Sequence, residues 1–322
     1  MTGLQLLGPR VVAEVFDLEL AYASQVEAFT KLAEGRAWQP DKIGGGHADD
    51  QSTVFCYAAR LDRESGPISK FGSVNPANLG TGLPTIHAAV VLLHPDTGVP
   101  VAVLDGTAIT ARRTAAASAV AVSALGRTGE HIAVLGAGQQ GVAHIRALHA
   151  ALPHGKFHVW CPDVSQRNGV ADALADEGLP VAVAASARAA ISGADIVIAA
   201  TSATSPLFDA NDLPASALVV SVGCFEEHRC EIGPDTLLRS RTVVVDHAPT
   251  ALAHCGPVVE TARQGRDLGV VELGAILTGQ VRVPTSGLTS YLSVGLGVQD
   301  AAAAWAIYRR AEDLGLGITV DW

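Results

Sequence analysis

Apolar residues recur at helical spacing between residues 12 and 35, where Val15, Leu18, Val26, Phe29 and Leu32 fall roughly on one side ahead of Pro40. That spacing predicts a first amphipathic helix. From Ser52 to Leu104 the texture changes to short β-rich runs (TVFCYAA, TIHAAVVLL, VPVAVL) punctuated by Gly, Pro and Asn, which predicts a sheet with hairpin-like turns. Asp105 to Gly126 reads as a loop entering a helix of small Ala and Ser residues that connects two domains. From residue 131 onward, strand-like runs (HIAVL, FHVWC, VAVA, DIVIAA, LVVSVG, TVVVD) alternate with segments long enough for crossover helices. The alternation predicts a parallel, doubly wound sheet. Ala301, Ala304, Trp305, Tyr308 and Ala311 then line one face of a terminal helix capped near Gly315 and Gly317.

Composition changes this picture only by exclusion. A chain of 322 residues that is 48% hydrophobic and 17% charged has apolar surface for two cores. A formal charge of -10 with no dense Lys/Arg cluster argues against nucleic acid or an anionic membrane as partner. The five cysteines (Cys56, Cys161, Cys224, Cys230, Cys255) show no CxxC pair, and their odd number predicts reduced thiols in a cytoplasmic protein. The N-terminus lacks the basic and apolar regions of a leader, and no stretch is long and apolar enough to span a bilayer. His247 and His254 fall in no metal-ligand spacing, so no metal is expected.

The segment HIAVLGAGQQGVAHIRALHA places GxGxxG (Gly136, Gly138, Gly141) directly after an apolar strand and before a helix. Gly136 permits the tight turn, Gly138 lets backbone approach a pyrophosphate, and Gly141 allows close helix packing. The intervening Ala137, Gln139 and Gln140 belong to the same phosphate turn. The next strand ends VWCPD, so Cys161 stands where a ribose-binding acid is usual, with Asp163 two residues on and Arg167 beyond it. Asp163 suits the ribose hydroxyls of NAD and Arg167 a 2′-phosphate of NADP; both remain open, with NAD slightly favoured.

Substrate candidates lie outside that unit. DGTAITARRTAAASA puts Arg112 and Arg113 near the mouth of a helix between Thr110 and Thr114. An arginine fork suits a carboxylate, yet adjacent helical residues diverge by about 100°, so at most one arginine aims squarely into a pocket. Taken alone, this segment fits a surface salt bridge for both arginines equally well. Lys70 lies between two Pro-containing turns, where a lone lysine usually snorkels to solvent. Thr85 and His87 share one face of a strand, and His87 reads first as a hydrogen-bonded core histidine and second as a proton relay.

Together these pieces resemble the ornithine cyclodeaminase and mu-crystallin family, which also contains ketimine reductases, alanine dehydrogenases and opine-type synthases. The landmarks are VEAF at 26–29, QPDK at 39–42, KFGSVNPAN at 70–78, GLPT at 82–85, TARRTAAASA at 110–119 and GAGQQG at 136–141. AATSATSP at 199–206, SVG then CEI within 221–232, VVVD at 243–246, ELGAILTG at 272–279 and SVGLGVQDAAAAW at 293–305 follow in the same order. The resemblance implies an α/β fold: a Rossmann doubly wound domain (119–295) inserted into an α+β dimerisation and substrate domain (1–118 plus 296–322), with the site in the cleft and a homodimer expected. It also implies that Arg113, Lys70 and Thr85 hold a substrate carboxylate. Thr110, Thr114, Thr201, Ser202, Val222, Gly223, Ser293 and Gly295 would then lie along the cofactor.

Departures narrow the chemistry. Cyclodeaminases place an aspartate just after the glycine aligned with Gly223, whereas the residue two beyond it here is Phe225, and the acid before the lysine motif is missing from VFCYAAR. Lys42 replaces an arginine, which keeps charge but loses the bidentate fork. Tyr57 and Phe225 would make the substrate pocket more aromatic. The leading expectation is an NAD(P)H-dependent reductase of a small α-imino acid or ketimine, with catalytic Lys70 and Arg113. A cyclodeaminase or opine-type synthase that cycles its cofactor is the alternative. A non-catalytic binding protein is a third, kept open by Phe225 and Leu292 at usually polar positions.

Overall fold

The computed structural model describes residues 3–46, 52–78 and 81–322. In chain order the elements begin with β1 (Leu4–Leu7), α1 (Pro9–Val15), α2 (Leu18–Ala33), β2 (Ile43–Gly46), β3 (Thr53–Ala59), β4 (Ile68–Val74), β5 (Ile86–Leu93), β6 (Pro100–Asp105) and α3 (Gly106–Ala124). They continue with β7 (His131–Leu135), α4 (Gln139–Ala151), β8 (Lys156–Trp160), α5 (Val164–Asp176), β9 (Val181–Val183), α6 (Ala187–Ile191), β10 (Ile196–Ala199), β11 (Leu218–Ser221) and α7 (Pro234–Arg239). The last are β12 (Thr242–Val245), α8 (Ala248–His254), α9 (Gly256–Arg263), β13 (Val271–Glu272), α10 (Leu273–Leu277), β14 (Thr289–Leu292), α11 (Gly297–Leu314) and β15 (Ile318–Val320). The chain forms two compact units, residues 1–113 with 296–322, and residues 114–295.

The first unit is built on a seven-stranded sheet in the order β15-β1-β6-β5-β4-β3-β2. Strands β2 to β6 form an antiparallel meander, β1 runs parallel to β6, and the C-terminal β15 closes antiparallel on β1. Register places Tyr57, Lys70, Val90 and Leu104 opposite one another across four strands. Helix α11 packs against α2 and against β3, β4 and β5. The other face of the sheet is apolar yet open. Ile43 is 75% exposed, Phe71 61% and Ile318 66%, and register sets Ile43 beside Cys56, Phe71 and Ala89.

The N-terminal helical pattern resolves into two helices rather than one. Asp17 accepts a hydrogen bond from Leu20 N at 2.8 Å and thereby nucleates α2 afresh. Arg112 donates to the carbonyls of Ala13 and Phe16 at 2.7 and 2.5 Å, satisfying the end of α1. Leu18, counted on the apolar stripe, is 40% exposed, whereas Phe29 of the same stripe is buried together with Ala21, Ser24, Gln25 and Ala28.

The second unit carries an eight-stranded sheet, β13-β12-β14-β11-β10-β7-β8-β9, in which every pairing is parallel. Strands β10, β11, β12 and β14 are buried at every position, as a sheet covered on both faces requires. Strand order reverses between β7 and β10, the switch point at which open α/β sheets bind ligands beyond the strand C-termini. The boundary between units falls within α3, at Arg113/Thr114 rather than after residue 118. The reason is local: Arg113 bonds to Asp300 of the first unit, whereas Ser118 bonds to His144 of the second at 2.8 Å. Burial pushes the His144 imidazole down to about 4, so it packs there neutral.

Among the described residues no helix is long and apolar enough to cross a membrane, and no group of His, Cys, Asp or Glu is arranged to hold a metal. All five cysteines are free thiols.

One buried ion pair gives the first unit a pH dependence. Burial alone would raise the Asp62 carboxyl, but Lys31 and the backbone N–H of Ser65 outweigh it and hold it at about 2. Because the folded value lies below the unfolded one, the stabilisation is complete above the ordinary carboxylate range and disappears as pH falls toward 2. Asp62→Asn should cost about 1–2 kcal/mol at pH 7, and the cost should vanish as pH falls through 2, read from urea unfolding across that range.

Candidate active site

Strand alternation turns Lys70 to the helix-covered side of β4, together with Ile68, and Lys70 is only 2% exposed. Its Nζ donates to Thr110 Oγ1 at 2.7 Å and to Asp300 Oδ1 at 2.9 Å. Arg113, one helical turn after Thr110, brings its Nε to the same Asp300 oxygen at 3.3 Å and its Nη1 to Gln299 Oε1 at 3.5 Å. The Tyr57 ring centroid lies 5.9 Å from Lys70 Nζ. Burial lowers the Lys70 pKa and Arg113 adds to the effect, while Asp300 opposes both. A snorkelling lysine is thus ruled out. The ammonium is buried because a carboxylate and a hydroxyl replace its water.

Only one of the two arginines enters this cluster. Arg113 is 7% exposed and bonded to the buried Asp300, while Arg112 points to the end of α1. His87 is neither a core residue nor a neighbour of Lys70. It is exposed and lies on the opposite sheet face, since Lys70 pairs with Val90 and alternation sends His87 the other way. Thr85 precedes β5 rather than lying in it, and its carbonyl accepts from Asn75 N at 2.7 Å. Lys42 is half-buried immediately ahead of β2. Asp300, the anion at the centre, was missed by sequence reasoning. Its one signal is a carboxylate set among valine and alanines in GVQDAAAA, where apolar neighbours imply burial.

In the second unit the three glycines of the turn have separate duties. Gly136 sits at φ 118°, where a Cβ would meet Ala200 O at 2.3 Å. A Cβ on Gly141 would stand 1.9 Å from Gly136 O, so α4 could not approach β7. Gly138 faces open space and is the N-cap of α4 without any side-chain hydrogen bond to the first turn. Backbone N–H groups ahead of Gln139 and Gln140 are therefore left for an anion, and the turn fits a dinucleotide pyrophosphate. Cys161 and Ala137 are buried beside this turn. The Asp163 carboxylate caps α5 through Gln166 N at 3.0 Å, and Arg167 Nη1 donates to Cys161 O at 2.9 Å.

Two buried carboxylates fix the loops at the C-terminal ends of the neighbouring strands. Glu231 accepts from Thr201 N and Oγ1, Ser221 Oγ, Val222 N and Gly223 N at 2.6–3.0 Å. Asp246 accepts from Ser293 Oγ, Val294 N and Gly295 N at 2.8–3.2 Å. Burial raises the pKa of both against these donors. Thr201, Val222, Gly223, Ser293 and Gly295 are thus gathered by side chains that sequence reasoning did not name, while Ser202 is exposed. Thr114 is buried on α3. Phe225 is half-buried under the Arg229 guanidinium, 4.6 Å from its ring centroid, so its surroundings carry charge as well as apolar surface.

Residues 8–315 match the ornithine cyclodeaminase/mu-crystallin family. The chain belongs to that family. Within it, the ketimine reductase mu-crystallin of Mus musculus is 29% identical over 292 residues, covering 90% of each chain. The Delta(1)-pyrroline-2-carboxylate reductase of Bacillus cereus is 28% identical over 311 residues, covering 94% of each. The Delta(1)-pyrroline-2-carboxylate reductase of Thermococcus litoralis, solved with NADH and L-proline, superposes with a TM-score of 0.92 at 28% identity, covering 98% of this chain and all of that one.

The turn and the Glu231 clamp each yield a test. Gly141→Ala should abolish dinucleotide binding in a fluorescence titration and lower Tm, because its Cβ meets backbone that cannot yield. Glu231→Ala strips five donors of their acceptor and should cost at least about 3 kcal/mol of stability in urea unfolding.

Proposed function

We propose that the protein is an NAD(P)H-dependent reductase of a small α-imino acid or cyclic ketimine, equivalently an amino acid dehydrogenase run in reverse. The observation that carries this is the buried cluster of two cations around one carboxylate, Lys70 and Arg113 on Asp300. Such a cluster has one positive charge in surplus and is completed by the carboxylate of a substrate. Arg113, Lys70 and Thr85 hold that carboxylate, and Lys42 and Tyr57 bound the substrate's remaining surface. A bound reduced nicotinamide supplies the hydride. Lys70 polarises the imine, whose nitrogen takes up a proton as the carbon is reduced. Ornithine cyclisation is disfavoured because Phe225 and the VFCYAAR stretch offer no carboxylate for its proton transfers.

NADH is the favoured donor. Asp163 stands just past β8 with its carboxylate, while the Arg167 guanidinium is turned to the Cys161 carbonyl, and the Thermococcus relative was solved with NADH. A second copy of the chain covers the open apolar sheet face around Ile43, Phe71 and Ile318, giving a homodimer. Five cysteines without a pairing pattern and a net charge of -10 support a cytoplasmic protein that takes neither nucleic acid nor membrane as partner.

The decisive assay follows reduced-nicotinamide absorbance with NADH and NADPH against pyrroline-2-carboxylate, piperideine-2-carboxylate, and pyruvate plus an amine. Net consumption of NADH is expected, and absence of turnover with every substrate overturns the reading. Arg113→Ala should raise KM for the carboxylate substrate about 10- to 100-fold while leaving dinucleotide affinity unchanged. An equal loss of both would place Arg113 elsewhere.

A further inference from the structure

The residue that organises the cluster has no assigned part in it. Asp300 is 1% exposed, and one of its oxygens, Oδ1, receives both Lys70 Nζ at 2.9 Å and Arg113 Nε at 3.3 Å. Removing it would leave two buried cations facing each other. Its own position is over-determined. Gln299 Oε1 accepts from Leu296 N at 2.9 Å and closes the first turn of α11. Gln299 Nε2 donates to Gln25 Oε1 at 3.0 Å, and Gln25 Nε2 returns a bond to Gln299 O at 3.3 Å, locking α11 to α2. Thr110 is likewise oriented, because its hydroxyl proton goes to Gly106 O at 2.5 Å and its lone pair is left to Lys70. The carboxylate also lies in the first turn of α11, where the helix dipole favours an anion.

We propose that Asp300 is the positioning residue of the substrate clamp: it holds the Lys70 ammonium beside the Arg113 guanidinium and sets the cluster at one net positive charge, matched to a substrate bearing one carboxylate at this end. The proposal rests on the reading of Lys70 and Arg113 as the carboxylate site. It assigns Asp300 no contact with substrate. Among the described residues, Arg113 from α3, Tyr57 from β3 and the Thr110 hydroxyl also face Lys70, and none of them is a carboxylate that could replace Asp300. Without Asp300, burial and the Arg113 charge would both drive the proton off Lys70.

The chain has four lysines, Lys31, Lys42, Lys70 and Lys156, so lysine labelled with carbon-13 at Cε gives few resonances, and Lys70→Arg identifies that of Lys70. In Asp300→Asn the Lys70 titration midpoint should fall by at least about one pH unit. Its kcat/KM for pyrroline-2-carboxylate should drop about 100-fold, mostly through KM, with NADH affinity retained. Asp300→Glu keeps the charge but displaces the oxygen. It should hold the midpoint near wild type while raising KM, and it decides the matter if Asp300→Asn does not fold. A lowered Tm in both variants with Lys70 midpoint and KM unmoved would make Asp300 merely structural and overturn the proposal. The midpoint is independent of turnover, so a wild-type protein that reduces no imine would sink the functional reading while the titration still judges the position of Asp300.

Discussion

A charge taken out of water must be answered by another charge, and in the first unit that requirement is met at Asp300. Lys70, Arg113 and Asp300 are each under a tenth exposed, and they come from a strand, a helix and a second helix far apart in the chain. The desolvation cost of any one of them would be several kcal/mol if its partner were absent. The sheet register that faces Lys70 toward α11 and the paired glutamines that join α2 to α11 both serve to bring these groups together. Arg112 shows the same economy on the outside, since its guanidinium ends α1 through two carbonyls.

The second unit solves a different problem with the same means. A sheet buried on both faces takes its loops out of water at the rim, so their backbone N–H groups need partners from the protein itself. Glu231 and Asp246 do this by accepting backbone N–H groups from loops that follow β10, β11 and β14. Both carboxyls sit against their ordinary ionisation tendency, raised by burial and opposed by the donors they receive. The phosphate turn, by contrast, is held by the absence of side chains: a Cβ on Gly136 or Gly141 would strike backbone.

Much of this was legible along the chain because it depends on local pattern. The strand–GxGxxG–helix segment, the parallel strands and the C-terminal helix ending at Gly315 follow from apolar period and from residues with special backbone freedom. The choice of one arginine from the Arg112–Arg113 pair also followed from helical geometry. His87 was misjudged from what a histidine usually does on an apolar strand, yet its face is fixed by pairing with neighbouring strands, and the same register that turns Lys70 inward sends His87 outward.

The sequence by itself determined that the chain alternates strands and helices around a phosphate-binding turn, and that lysine and arginine motifs of one family flank it, because those features reside in neighbouring residues. Only the tertiary structure decided which groups compensate them. Asp300 lies 230 residues from Lys70 and 187 from Arg113, and Glu231 30 from Thr201. A buried carboxylate looks like any other along the chain until folding removes its water and shows which donors have taken the water's place.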